Sequence, residues 1–350
     1  MKRLITVILT VLLILLLTAC HGEEMERFFI VTAMAVDWEE ERYVLRLEGS
    51  ADEMDENKNP KAILHTGRGD NLTQCFLDIQ KQTGVYPYTR QTQLILLSGQ
   101  IPPDALDHLM DDLLNENGVR LNARMAITGG KAADLLQEGD FASQRILKAV
   151  TKGGGTLTSS DIMLRDLAYT REAEGLSPVL PMTDSERTEG LCLLRDGVVA
   201  GNIEPALVPV FMMAGGTERG GAITVEVNGE ACAFRLLKNR AKIRTVYQDG
   251  RVIVTVSIDG QYRAADRLEG DVKVYEDAIR SRLERDLLEL VDIFGKTGCD
   301  ALGFGQALSR WHPRDWDRLE SHWEAHLAAC EVIPEISVTI TSTGKMRAGE

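Results

Sequence analysis

Three of the chain's four tryptophans, Trp311, Trp316 and Trp323, crowd into one stretch near the C-terminus, running from Asp300 through Trp323 and holding the glycine pair Gly303-Phe-Gly305 and Pro313. Aromatic surface this concentrated is costly to leave in water. Whatever fold the chain takes must therefore bury it against its own domain or a partner. The stretch carries no recognisable catalytic arrangement, so assembly comes before chemistry as a question.

At the opposite end, Met1-Lys-Arg3 is followed by an apolar run from Leu4 to Leu17 and then by Leu17-Thr-Ala-Cys20. The order is that of a signal peptide, a basic head, an apolar stretch and a small-residue cleavage site, and the run falls short of the ~20 residues of a membrane-spanning helix. It resembles a bacterial lipoprotein signal. On that reading residues 1–19 are removed and Cys20 is the lipidation site, carrying two acyl chains, the dose that anchors stably. No later segment is apolar enough to cross a bilayer.

The formal charge of the full chain is −14, and removing Lys2 and Arg3 with the signal lowers it by two. A body this acidic is expected to avoid nucleic acid and anionic headgroups, leaving attachment to the lipid or to protein contacts. The cysteines after Cys20, at 75, 192, 232, 299 and 330, are odd in number, widely spaced and without a C-x-x-C pair. They form neither a disulfide framework nor a zinc knuckle; most read as small buried hydrophobes, with one oxidised pair left open.

Helical and strand signals alternate along the chain, which points to an α/β or α+β layer and not to a bundle; the class expected is α+β, a multi-domain body of mixed sheets packed with helices. Phe28–Val36 and Tyr43–Gly49 read as a hairpin around an acidic turn, and 52–61 as a loop. Helices are expected over Asn71–Gln82, with Asp70 as its cap, from Pro102-Pro103 to Asn117-Gly118, over Lys131–Gln137 and over Asp161–Ala173, capped by Ser159 or Ser160. Strands are expected at Gln93–Leu97 and Leu121–Thr128, and Gly153-Gly-Gly155 as a hinge or exposed loop. Ser177-Pro-Val-Leu-Pro181 and the acidic stretch through Glu189 make the best boundary, dividing an N-terminal α+β region, 20–185, with room for two subdomains, from a C-terminal α+β domain, 186–350.

The second half opens with a hairpin around Arg195-Asp-Gly197. A stronger one, Ala241–Tyr247 with Arg251–Ile258, turns at Asp249-Gly250. A helical stripe follows, Tyr275, Ile279, Leu283, Leu287, Leu290, Val291 and Phe294, with Arg280 and Glu284 expected to pair on its wet side. Ile336, Val338 and Ile340 mark a last strand, tied into a sheet.

The sharpest lead to chemistry is His322-Trp-Glu-Ala-His326, two imidazoles four residues apart on a helix with Cys330 four further on. It lacks the H-E-x-x-H order, and an amphipathic helix that buries Trp316 and Trp323 explains it better. Gly295-Lys-Thr297 lacks the rest of a phosphate loop and reads as a helix stop, and Gly303-Phe-Gly305 as a tight turn. Arg68-Gly-Asp70 is an adhesion triplet by chance. No catalytic, cofactor-binding or metal-ligating residue is assigned.

The pattern as a whole resembles the Ger(x)C family, the lipoprotein C subunits of spore germinant receptors, over nearly all of the chain after Cys20. The resemblance rests on Ile30–Asp37, His65-Thr-Gly-Arg68, Ser177–Pro181 and, most specifically, Asp300–Trp323 with Gly303, Gly305, Pro313, Trp316 and Trp323. It departs from the family in lacking a tryptophan near the lipid cysteine, where His21-Gly-Glu-Glu24 stands, and in reading Tyr86–Arg90 in place of a Gly-His-containing turn. The resemblance implies a three-domain α+β body, tethered to the outer face of the inner spore membrane beside an integral membrane A subunit and a transporter-like B subunit, acting in assembly or signal relay without covalent catalysis. Whether it binds nutrient directly is left open. Two rival classes are a lipid-anchored solute-binding protein with its cleft at Pro178–Pro181 and a metal-dependent envelope hydrolase using His322 and His326.

Overall fold

The computed structural model describes residues 28–50, 61–115, 118–139, 141–152, 161–184, 187–216 and 221–342. The expected signal segment, Cys20, all but the last residue of the loop expected at 52–61, the Gly153–Gly155 stretch and the two expected serine caps lie outside them.

The first hairpin forms as its alternation requires. Strand β1 (Phe28–Glu39) pairs antiparallel with β2 (Arg42–Ser50) across Glu40 and Glu41, both at positive φ. β1 becomes the spine of a nine-stranded mixed sheet ordered β3-β2-β1-β5-β6-β7-β8-β9, with short β4 (Tyr86–Tyr88) also beside β1. The other members are β3 (Ile63–Gly69), β5 (Leu94–Ser98), β6 (Arg124–Thr128), β7 (Val179–Thr183), β8 (Thr188–Arg195) and β9 (Val198–Ile203). β5 runs parallel to β1 and β6 parallel to β5, and both are buried on both sides, which is why Leu94-Ile-Leu-Leu97 reads as an unbroken apolar run.

Each face of this sheet has its own core. Phe29, Val31, Met34 and Val36 point toward helices α1 (Leu72–Thr83), α2 (Pro103–Asn115) and, after α3, α4 (Leu164–Glu172). Ala33 and Ala35 point the other way, toward α3 (Ala142–Lys152) and the 3-10 turn Ala132–Leu135. The register shift between Val31 and Ala33 sets this phase.

The second sheet is ordered β10-β11-β12-β13, with β10 (Ala222–Val227), β11 (Glu230–Gln248), β12 (Arg251–Ala264) and β13 (Glu331–Ser342). Asp249 and Gly250, both at positive φ, make the turn of the long β11–β12 hairpin, the conformation for which Asp-Gly is suited. Short α5 (Val208–Ala214) and the long α6 (Val272–Thr297) close the inner face, with Val254, Val256, Ile258, Ile336 and Val338 meeting Ile279, Leu283, Leu287 and Leu290. β13 returns parallel to β12 after α7 (Phe304–Trp311), α8 (Pro313–Leu319) and α9 (Trp323–Ala328).

Several local expectations are corrected. Asn71, not Asp70, caps α1, its side chain accepting from Gln74 N at 2.8 Å, while Asp70 pairs with Arg42 at 3.1 Å. Arg280 pairs at 2.7 Å with Asp277, one turn before it, and not with Glu284, one turn after it. The long helix runs through Gly295 and stops at Gly298, whose φ of 70° makes the left-handed cap; Gly295 instead serves close packing, since a Cβ there would press on Ala328 Cα of α9 at 3.2 Å. Helices α3 and α5 and strand β10 carry no expectation from the sequence.

Candidate functional site

The tryptophan-rich stretch, absorbed into the second core, docks on the connection between α4 and β7 of the first sheet. α4 ends at Glu172, and Gly175 takes φ +61°, a left-handed turn suited to glycine. A Cβ on Gly175 would lie 2.5 Å from Gly305 C; one on Gly305 would lie 2.8 Å from Trp316 Cζ3 and 2.9 Å from both Gly175 Cα and Trp323 Cε2. The two glycines therefore let backbone meet backbone under a pair of indoles, which stand edge to face with centroids 5.2 Å apart. Trp316 and Trp323 are buried; Trp311 is 71 % exposed.

Hydrogen bonds fasten the same junction. Ser177 N donates to Asp300 O at 2.8 Å, Asp300 N to Ser177 Oγ at 2.8 Å, and Gln306 N to Gly175 O at 3.0 Å. The Asp300 carboxylate is buried and accepts from Phe304 N (2.9 Å), Gly305 N (2.6 Å) and Trp323 Nε1 (3.2 Å). Burial pushes its pKa up to about 6, the three donors holding it from rising further. On the rim, Arg195 donates to Thr297 O at 3.0 Å and pairs with Glu324 at 3.1 Å.

Beside the connection lies a cavity of about 310 Å3, between α2, α4, Ser177-Pro178 and the β8–β9 turn. Leu106, Met110 and Leu167 give it an apolar wall. Its guanidinium groups are engaged, Arg171 with Asp107 (3.3 Å) and Asp111 (3.4 Å), Arg195 with Glu324.

The histidine lead does not assemble. His322 ends a 3-10 turn, α9 begins at Trp323 and ends at Ala328, and Cys330 lies beyond it, so no single helical face carries all three. His326 stands edge-on to Tyr247, centroids 6.2 Å apart. No group of three or more His, Cys, Asp or Glu among the described residues is placed to hold a metal. Gly303, φ 74°, opens α7. Arg68 and Asp70 flank a glycine packed on α1 and are held by Glu39 and Arg42. Cys75, Cys192, Cys232, Cys299 and Cys330 are all free thiols; burial raises the pKa of Cys75 and Cys192 to about 12, making both poor nucleophiles. No helix among the described residues is long and apolar enough to span a membrane.

Two family models together match almost the whole chain: the spore germination protein N-terminal domain over residues 21–185, and the spore germination B3/GerAC-like C-terminal domain over 189–347. Spore germination protein B3 of Bacillus subtilis (strain 168) is 18 % identical, with 96 % of this chain and 97 % of that one covered. Spore germination protein KC of the same organism is 20 % identical, with coverage of 99 % and 96 %, and protein A3 is 20 % identical, with coverage of 73 % and 74 %. The crystal structure of the GerBC protein superposes with a TM-score of 0.60 at 16 % identity, covering 88 % of this chain and 96 % of that one.

Proposed function

The chain belongs to the GerAC-like family of spore germination proteins, and from that premise we propose that it is the non-enzymatic C subunit of a nutrient germinant receptor, acting in receptor assembly or signal relay. The observation that carries the reading is the pair of family matches, which leave only short margins of the chain unmatched. In this reading Cys20 bears the acyl chains, and the body sits on the outer face of the inner spore membrane beside the A and B subunits. The N-terminal α+β region, 20–185, and the C-terminal domain, 186–350, are its two working parts, joined where Asp300 and Gly305 meet Gly175 and Ser177.

A germinant receptor subunit of this kind works through contacts, and the strongest fixed feature of the junction, Asp300 with its three donors, is spent on packing. The cavity beside Pro178 would serve a solute-binding protein, but its arginines already hold carboxylates and the two sheets differ in size and strand order. Deleting the gene and scoring nutrient-triggered spore germination tests the proposal. Loss of the response to one nutrient class is expected, and an unimpaired response in a strain without a paralogous receptor would defeat it. For the anchor, Cys20→Ala should move the protein from the membrane to the soluble fraction; full retention would exclude acylation as the tether.

A further inference from the structure

We propose that the outer face of the second sheet is a docking surface for an anionic bilayer, with the cations of β11 as its contact row. The proposal rests on the membrane-anchored reading above. Although the chain is acidic overall, residues 231–248 hold Arg235, Lys238, Arg240, Lys242 and Arg244 and no acid. A strand alternates its faces, so Arg235 would ordinarily point away from the other four. The register shift between Leu236 and Lys238 removes that mismatch. Leu236 stands opposite buried Tyr262, whereas Arg235 stands opposite exposed Arg263 and Lys238 opposite Gln261. The bulge thus brings all five cations to one side, in a row roughly 27 Å long at strand rise.

All five side chains are exposed, and none has an ion pair among the described residues. Elsewhere on the molecule Arg68, Arg124, Lys131 and Arg282 each hold a carboxylate at 3.1 Å or less. Unpaired like charges on neighbouring same-face positions of a strand repel one another, an arrangement favoured when an opposite charge is brought to it. The acids of this face flank the row: Glu226 on β10, opposite Ala231 beyond the Arg235 end, Asp259 opposite Arg240, and Glu331 and Glu335 on β13, where Glu335 accepts from Ser257 at 2.7 Å. From β11 across β12 to β13 the face is graded from basic to acidic, which would tilt its β11 side toward a negative surface.

A bilayer fits this row better than a nucleic acid does, since the row has no aromatic ring between its cations for a base to stack on. The repulsion expected from the net charge is screened beyond about 8–10 Å, so a local row can act against it. The tether from Cys20 to Phe28 is under ~30 Å fully extended. With the acyl chains supplying attachment, the row would set orientation.

The test uses the mature chain from residue 20 carrying Cys20→Ala, so that no acyl group contributes and failure of the lipid-anchor reading leaves the result unaffected. Its sedimentation is measured with phosphatidylcholine vesicles and with vesicles containing roughly a third phosphatidylglycerol, at low and at high ionic strength. Binding to the anionic vesicles alone, weakened by salt, is expected. Lys242→Gln and Arg244→Gln should each reduce partitioning about fivefold, and neutralising Lys238, Arg240, Lys242 and Arg244 together should abolish it. A control that neutralises Arg280, Arg285, Lys296 and Arg318 should retain most of the binding. Equal loss in row and control variants would make the effect one of net charge and overturn the proposal. So would absence of binding to anionic vesicles, or a row variant whose only change is self-association, the signature of cations that merely guard a sheet edge.

Discussion

Three buried carboxylates, Asp37, Glu48 and Asp300, each hold the N-terminus of a helix or turn, whereas buried Asp286 pairs with Arg282 on its own helix. Asp37 accepts from Ala132 N (2.7 Å) and Ala133 N (2.9 Å), Glu48 from Ser143 N at 3.1 Å, and Asp300 from the first turn of α7. Burial raises the pKa of each, and the backbone donors oppose the rise. For Asp300 the consequence can be signed. With a folded pKa of about 6 against an unfolded value of 3.8, the folded chain holds the extra proton between those limits. Its contribution is therefore fully present below the unfolded pKa and is lost as pH rises through 6. Between pH 7.5 and 4.5 the wild type should gain about 2 kcal/mol that Asp300→Asn does not. Urea unfolding of both proteins at the two pH values measures this, and parallel behaviour would mean that Asp300 does not titrate in that window. At the neighbouring position, Gly305→Ala places a methyl group against Trp316, Gly175 and Trp323 and should cost about 1–3 kcal/mol of stability in the same assay.

At the scale of elements, the His65-Thr-Gly-Arg68 segment acquires a reason. α1 lies directly on β3, where a Cβ on Gly67 would meet Cys75 O and, at 2.7 Å, Ile79 Cγ1, and one on Gly69 would meet Gln74 Cβ at 2.6 Å. Gly67→Ala should thus lift the helix and cost about 1–3 kcal/mol or more. Gly84→Ala, at the left-handed C-cap of the same helix with nothing within 4 Å, should cost only the ~1 kcal/mol or so of that conformation. Equal midpoints in urea would refute close packing as the reason for Gly67. Elements with a long one-faced stripe were legible from the sequence, as with α6 and the β11–β12 hairpin. α3 was not: its buried stripe is only Ala142, Ile146 and Val150, set in an otherwise polar helix. The site was half legible. Trp316 and Trp323 are buried as the crowding of aromatics requires, while Trp311 is not; Gly175 is separated from Gly305 by six strands, β7 to β12, and nothing local says that Asp300 is buried. The cationic row was hidden for a third reason, that strict alternation splits Arg235 from Lys238 unless the bulge is known.

For the whole molecule, the decisive element is β8. Its alternate residues belong to different cores: Cys192 and Leu194 face the helices of the first sheet with Leu180, while Leu191 and Leu193 join the core of the second with Val179. Strands β7 and β8 are a shared wall, so each half buries apolar surface that the other half holds in place, and β7 joins β6 through the single pair Ile127–Met182. A molecule built this way should open as one unit. Thiols report it: Cys75 lies in the first core far from the wall and Cys192 in the wall itself, both fully buried. Leu193→Ala removes contacts only from the second core and should cost about 2–5 kcal/mol. If the halves are coupled, labelling of Cys75 and Cys192, resolved by mass spectrometry under native conditions, should accelerate together and by a similar factor. Acceleration at Cys192 alone, with Cys75 unchanged, would show that the second sheet opens independently, and would remove the shared wall as a route by which one half of the subunit could sense the other.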